Sequence, residues 1–208
     1  MSRFLNNRID LSHKVLMPRV ETEFWAKKAI NKIKKSGNSL VILDIFSGSG
    51  CIGIAVLKSC IRQIQRIDFA DIDGSAIKQI KSNLNINNIA GKNARVIKTD
   101  LFDKLGDKKY DFILANPPYV ALDRISEVQK EVLKTDPPSA LFSGKDGMDC
   151  IRKFLSSAKM HLKKGGMIFM EHDPLQKKEI GEILKNKKFR YKFKKDQFKK
   201  YRWSEISL

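Results

Sequence analysis

Short runs of β-branched and apolar residues alternate along this chain with longer stretches of helical spacing. Few folds accept that rhythm, which is how successive strand–helix units of a parallel sheet read. Strands are expected at residues 40–45, 66–70, 94–98, 111–115 and 166–171. Residues 22–35 place Trp25, Ala29, Ile30 and Ile33 on one helical face, and residues 75–86 do the same with Ile77, Ile80 and Leu84. These read as amphipathic helices packed on a sheet. The end of the chain departs from the rhythm. Residues 189–193 alternate aromatic and basic side chains and residues 202–208 form a further short strand, so an antiparallel hairpin is expected at one sheet edge. No repeat, low-complexity tract or Pro/Gly-rich linker divides the 208 residues, and one domain is expected.

Apolar residues make up 42% of the chain and cluster in short runs, which excludes pervasive disorder. No apolar run approaches the ~18 residues of a membrane span, and the start MSRFLNNRIDLSHK lacks the apolar core of a secretion signal. A cytoplasmic setting without membrane contact is expected. Cys51, Cys60 and Cys150 are odd in number and far apart, and His13, His161 and His172 lack ligand spacing; free thiols and no metal site follow. The 41 Lys and Arg against 23 Asp and Glu leave a net charge of +18. Such an excess draws polyanions, which makes nucleic acid or the ribosome a candidate partner; it equally fits a lysine-rich composition spread along the chain.

In Leu43-Asp44-Ile45-Phe46-Ser47-Gly48-Ser49-Gly50-Cys51 a strand ends in a loop of small residues and a helix follows. Such a loop lets the backbone approach a ligand closely, although a tight strand–helix turn or a dinucleotide phosphate cradle reads the same way. Asp71 ends the next strand, 21 residues past Gly50, where a carboxylate can accept hydrogen bonds from both ribose hydroxyls of a nucleoside. The alternative for Asp71 is a helix cap, a role Asp73 can fill instead.

Asn116-Pro117-Pro118-Tyr119 follows directly on the fourth strand. Two prolines fix the backbone and donate no hydrogen bonds, so the neighbouring carbonyls are free to face a ligand. The Asn116 side-chain oxygen and the Pro117 backbone oxygen can both accept from the NH2 of a planar amide or aminopyrimidine. That pairing aims the nitrogen lone pair at an electrophile and stabilises positive charge as the nitrogen is alkylated. Tyr119 walls the pocket and stacks on the planar group. A chance turn at a strand end is the bland alternative.

Together the glycine loop, Asp71 and the tetrapeptide resemble class I S-adenosylmethionine-dependent amino-group methyltransferases. Further segments resemble the HemK/PrmC family of release-factor glutamine methyltransferases. Pro18-Arg19-Val20-Glu21-Thr22-Glu23 is similar to that family's PRPxTE segment, and Thr99-Asp100-Leu101-Phe102 to its adenine-holding turn. Asp136-Pro137, Ala140-Leu141 and Gly144-Lys145-Asp146-Gly147-Met148 are similar to its EPxxAL and GGxDGL run. Glu171 with Gln176 resembles LExGxxQ, and Arg202 its arginine near the end. Phe46 stands where the family has its first loop glycine, so a glycine-only backbone conformation is not expected there.

The resemblance implies a Rossmann-like class I methyltransferase fold: α/β, with a doubly wound, seven-stranded, mostly parallel sheet and the C-terminal hairpin at its edge. It implies S-adenosylmethionine, with S-adenosylhomocysteine as product and no metal. The cofactor is expected over Phe46, Ser47, Gly48, Ser49 and Gly50, with Asp71 on its ribose, Asp100 and Leu101 beside its adenine, and Asn116 at its methyl. The implied reaction is N5-methylation of the glutamine in the GGQ motif of a peptide-chain release factor, held by Asn116, Pro117, Pro118 and Tyr119. The family carries an N-terminal helical domain that grips the release factor, whereas about 17 residues precede Pro18 here. The expected organisation is therefore a short extension, residues 1–17, and a catalytic domain, residues 18–208, working as a monomer. The basic stretch 185–202, or a partner protein, is expected to take over some docking. Glu21, Thr22 and Glu23 read either as shaping the site's mouth or as an acidic helix start. Two other functions remain open from sequence: methylation of an exocyclic amine on DNA or ribosomal RNA, and a non-catalytic module of the same fold that binds RNA or ribosomes.

Overall fold

The computed structural model describes residues 1–208 apart from Ala90 and Lys92. The chain opens with a hairpin, β1 (Ser2–Phe4) and β2 (Asn7–Ile9), followed by α1 (Val20–Lys34). Strand–helix units then alternate: β3 (Leu40–Ile45), α2 (Cys51–Ser59), β4 (Ile64–Asp71), α3 (Gly74–Ile86), β5 (Ala94–Lys98) and β6 (Tyr110–Ala115). Three short helices come next: a 3-10 turn Leu122–Glu127, α4 (Lys130–Thr135) and α5 (Pro138–Leu141). The remainder is α6 (Asp149–Ser157), β7 (Leu162–Glu171), α7 (Lys177–Asn186), β8 (Arg190–Lys195) and β9 (Tyr201–Ser207).

The main sheet has seven strands in the order β5-β4-β3-β6-β7-β9-β8, parallel from β5 to β7, with β9 antiparallel to both β7 and β8. This is the expected fold class with its C-terminal hairpin. Side chains on a strand alternate between faces. Accordingly Leu40 and Ile42 of β3 join one core with Trp25, Ile54 and Ile80 of α1 to α3. Leu43 and Ile45 join a second core with Ile151, Phe154 and Leu184 of α6 and α7. Helices thus cover both faces of the sheet.

Strand and helix limits follow the sequence pattern to within two residues except at β7, which begins at Leu162 rather than residue 166. Lys163, Lys164 and Gly165 hide that start. Tyr110 pairs with Leu162 and Phe112 with Met167, so a bulge lies between them, and Gly165 takes φ +81° in it.

The first hairpin was not legible in the sequence. Its strands are three residues long, and its turn residues, Leu5 and Asn6, both adopt left-handed φ values of 44° and 67° with no glycine to signal them. The Asn7 amide donates to the Phe4 and Leu5 carbonyls, and the Glu23 carboxylate accepts from the Leu5 N–H at 3.0 Å. Phe4 and Ile9 are fully buried in the first core, so residues 1–17, expected as an extension, share the core of the sheet. A polar ladder on α3 holds them. Gln79 bonds the Asp10 carboxylate and the His13 N–H, Asn83 bonds both backbone groups of Asp10, and Asn87 bonds the Arg8 carbonyl. The Asn83 amide also reaches the Ser49 carbonyl at 2.9 Å, linking the hairpin to the glycine loop.

Two outcomes are expected. Asn83→Ala strands part-buried backbone groups of Asp10 and the buried carbonyl of Ser49, and should lower the unfolding free energy by ~2 kcal/mol in a urea titration. Trypsin should then cut the native protein after Arg3 and Arg8. His172 is fully buried beyond the end of β7, where desolvation lowers its pKa from 6.5 to about 4. Over that window the unfolded chain binds a proton that the folded chain refuses. Its contribution to stability is therefore complete above pH 6.5 and falls as the pH drops towards 4, by ~1.4 kcal/mol per pH unit at most. Unfolding midpoints measured between pH 7 and pH 5 should show this slope, and His172→Phe should flatten it.

Candidate active site

The order in which strands are added to the sheet reverses between β3 and β6, which run parallel to each other. After β3 the chain adds β4 and β5 on one side, then crosses to begin the other half at β6. Ile45 pairs with Ala115, so the loops starting at Phe46 and Asn116 leave neighbouring strand ends and must part. A crevice at such a reversal is where open α/β sheets bind ligands.

The glycine loop is fixed by its own small side chains. The Ser47 hydroxyl donates to the Asp44 carbonyl at 2.6 Å and accepts from the Ala70 N–H at 3.0 Å, which staples the loop to β4. Phe46 takes φ +57°, a left-handed conformation that costs a non-glycine residue about 1–2 kcal/mol. Its ring meets the Phe154 ring edge-on at 5.9 Å, and that packing offsets the cost. Gly50, also left-handed at φ +76°, precedes α2 and packs towards Ile80. Asp44 is fully buried, accepts from the Gly53 N–H at 2.9 Å and has its carboxyl pushed well up by burial. Gly53 is obligatory here: a Cβ would lie 2.3 Å from the Phe69 ring.

Asp71 accepts from the Gly48 N–H at 2.8 Å and from the Asp73 N–H at 2.9 Å. Burial raises its pKa and these two donors pull it back. Asp73, not Asp71, caps α3, accepting from the Ser75 N–H at 2.8 Å. Asp71 is thus left at the strand end with lone pairs to offer.

Across the crevice, the Oδ1 of Asn116 is buried and has no hydrogen-bond partner among the described residues. An orphaned buried acceptor is costly unless a ligand satisfies it. Tyr119 turns the other way: its hydroxyl donates to Glu171 Oε1 at 3.0 Å. Glu171 is 1% exposed, and its Oε2 also accepts from the Thr22 hydroxyl at 2.7 Å and the Trp25 indole at 2.6 Å. Burial pushes the Glu171 carboxyl up against the pull of these donors, and it holds the Tyr119 hydroxyl far above its usual range, fixed as a donor. The Gln176 amide donates to the Tyr119 and Gly147 carbonyls at 2.9 and 3.0 Å. Gly147, at φ +80°, admits no side chain, since its Cβ would lie 2.3 Å from the Tyr119 oxygen. Arg19 pairs with the buried carboxylate of Asp136, which also accepts from the Met17 N–H.

Two adjoining cavities result. The larger, of about 340 Å³, is lined by Phe46, Ser47, Gly48, Ser49, Asp71, Asn116 and Pro118, with Val15 and Leu16 from the N-terminal segment. The smaller, of about 160 Å³, is lined by Asn116, Pro117, Tyr119, Glu171 and Arg19. Asn116 stands in both. The sequence-derived residues therefore converge, with three exceptions. Gly50 lies behind the loop, and neither Asp100 nor Leu101 lines either cavity. Those two sit in the turn after β5, one strand further out; Asp100 is exposed and Leu101 packs on the second core. Thr22 and Glu23, left between mouth and helix start, are tied to Glu171 and to the first hairpin. Cys51 also lines the larger cavity, where burial pushes its thiol up to about 12 and keeps it inert. Glu171, Arg19 and Asp136 are marked in the sequence by the family resemblance; Glu171 carries a further signal, a charged residue ending the apolar run Met167-Ile168-Phe169-Met170.

A family model described as the methyltransferase small domain matches residues 3–144. The release factor glutamine methyltransferase of Thermodesulfovibrio yellowstonii is 36% identical over 184 residues, covering 86% of this chain and 63% of that relative. That of Streptococcus pneumoniae is 31% identical over 197 residues, covering 94% of this chain and 68% of the relative. The chain spans 66% of the relative from Lactococcus lactis. Among solved structures, the ribosomal protein L11 methylase from Lactobacillus delbrueckii subsp. bulgaricus shares the fold, with a TM-score of 0.70 at 19% identity, over 96% of this chain and 83% of that one. The chain belongs to the methyltransferase small domain family, and its sequence relatives place it with the release factor glutamine methyltransferases.

Proposed function

We propose that the protein methylates the side-chain amide nitrogen of the GGQ glutamine of a peptide-chain release factor, using S-adenosylmethionine. The observation that carries this reading is the buried, unpartnered Oδ1 of Asn116 where the two cavities meet. It is an acceptor waiting for an N–H, and a primary amide brings two.

The larger cavity fits the cofactor on its own terms. A Cβ at Gly48 would meet nothing within 4 Å, so the loop leaves open space. The Asp71 carboxylate suits ribose hydroxyls, and Val15, Phe46, Ile52 and Ile72 give apolar walls. Phe46, Ser47, Gly48, Ser49 and Asp71 would hold it. When bound there, S-adenosylmethionine supplies an electrophilic methyl group.

The remaining work falls to the chain. Asn116 Oδ1 accepts one amide N–H and the Pro117 carbonyl the other, which fixes the nitrogen and turns its lone pair towards the larger cavity. Both oxygens stabilise positive charge as it develops on that nitrogen, and they cost no reorganisation because the prolines and Ala115 hold the loop. Tyr119, anchored by Glu171, walls the smaller cavity against water and keeps the planar amide in position. Arg19, tied to Asp136, closes the opposite wall.

Radiolabel transfer to purified release factor tests the reading, with a GGQ-to-GGA factor, RNA and DNA as parallel substrates. Label on the wild-type factor alone is expected; label on nucleic acid, or none on the factor, overturns it. Asn116→Ala should lower turnover ~100- to 1000-fold while cofactor affinity by calorimetry stays within a few-fold. Asp71→Ala should do the reverse in emphasis, weakening cofactor binding ~10- to 100-fold through lost charge-assisted hydrogen bonds.

A further inference from the structure

Residues 177–202 make up an eighth of the chain and carry twelve Lys and Arg against three Asp and Glu, which is half of the net charge. A lysine-rich composition alone would not concentrate it so. The fold then sets this segment at the site. β9 runs antiparallel to β7 and Trp203 pairs with Glu171, so the tip of the β8–β9 hairpin, residues 195–201, overhangs the sheet edge that carries the two cavities. The start of α7, four residues past Asp173, lies at the same edge.

The tip is a built frame. Asp196 is buried, accepts from the N–H groups of Phe198 and Lys200 at 2.8 and 2.9 Å, and pairs with Arg202 at 3.0 Å. Its charge is thereby consumed inside the turn, and Glu179 likewise pairs with Arg152. What the frame presents outward is Lys195, Lys199, Lys200 and the ring of Phe198, which is 56% exposed. A large apolar side chain, more exposed than buried, thus stands on a hydrogen-bonded turn among cations. Beside it, Lys177 sits 3.9 Å from the centre of the Tyr201 ring, and Lys178 with Tyr191 lines a shallow groove in which Glu182 is the one acid.

We infer that the hairpin tip and the start of α7 form a docking surface for an unpaired strand of nucleic acid, with phosphates on the lysines and a base stacked on Phe198. Cations interleaved with an exposed ring match a polymer that repeats one charge and one π-face per unit. An acidic polypeptide would use the cations and leave the ring without a function. The surface is separate from the two cavities and does not depend on which amine the enzyme methylates.

Fluorescence anisotropy of the full chain with a labelled oligouridylate, an oligothymidylate of equal length and an oligoglutamate of equal charge tests the assignment without reference to methyl transfer. Binding of one or both oligonucleotides is expected, weakening with salt by ~0.7 in log affinity per log salt for each phosphate engaged. Binding of both identifies any unpaired strand as ligand, and binding of the uridylate alone identifies RNA. The double variant Lys199→Glu, Lys200→Glu should lose at least ~10-fold in affinity and flatten the salt slope. Phe198→Ala should lose ~5-fold or more with the slope unchanged, the signature of stacking. Unfolding midpoints of the variants should match the wild type, since these side chains are exposed. The inference is overturned if neither oligonucleotide binds, if the variants bind as tightly as the wild type, or if oligoglutamate competes on equal terms.

Discussion

Two parallel strands, β3 and β6, lie side by side although the chain visits β4 and β5 between them, so the loops leaving their ends diverge and open a crevice that no side chain has to carve. The residues of the candidate site gather at that opening. On one bank the loop is pinned to β4 by the Ser47 hydroxyl; on the other, two prolines stiffen the chain beyond Ala115. Between these two loops the Asn116 oxygen is buried without a partner among the described residues.

The second determinant is the Glu171 carboxylate. Removing a carboxylate from water costs several kcal/mol, and it is tolerated only where hydrogen bonds replace the lost hydration. Here the donors come from Thr22 and Trp25 of α1 and from Tyr119. This buried carboxylate thus ties together the first helix, the tetrapeptide's tyrosine and the wall of the smaller cavity. Gln176 and Gly147 repeat the logic on the backbone side, one clamping the Tyr119 carbonyl and the other leaving room for it.

Much of this was legible in the sequence, and the division has a physical basis. The strand rhythm, the glycine loop, Asp71 and Asn116-Pro117-Pro118-Tyr119 are local signals, each written within a few residues at a strand end. Glu171, Arg19, Asp136 and Gln176 act through partners brought close by folding, so the local pattern marks them only weakly. Gly50, Asp100 and Leu101 belong to the expected segments but line neither cavity: Gly50 packs towards Ile80, Asp100 is exposed and Leu101 lies on the second core. The opening hairpin was invisible for the opposite reason. Leu5 and Asn6 accept left-handed backbone without the glycine that would announce it, and its stability comes from Gln79, Asn83 and Asn87 far along the chain.

Those long separations bear on how the protein comes into being. Met17 meets Asp136 across 119 positions, and Thr22 meets Glu171 across 149. A ribosome delivers the first of each pair long before the second, and contacts of such span form late. The hydrogen bonds that hold the opening hairpin and α1 are therefore completed only once α3 and then β7 have emerged. The wall that Glu171 gives the smaller cavity is thus supplied long after the glycine loop has been made.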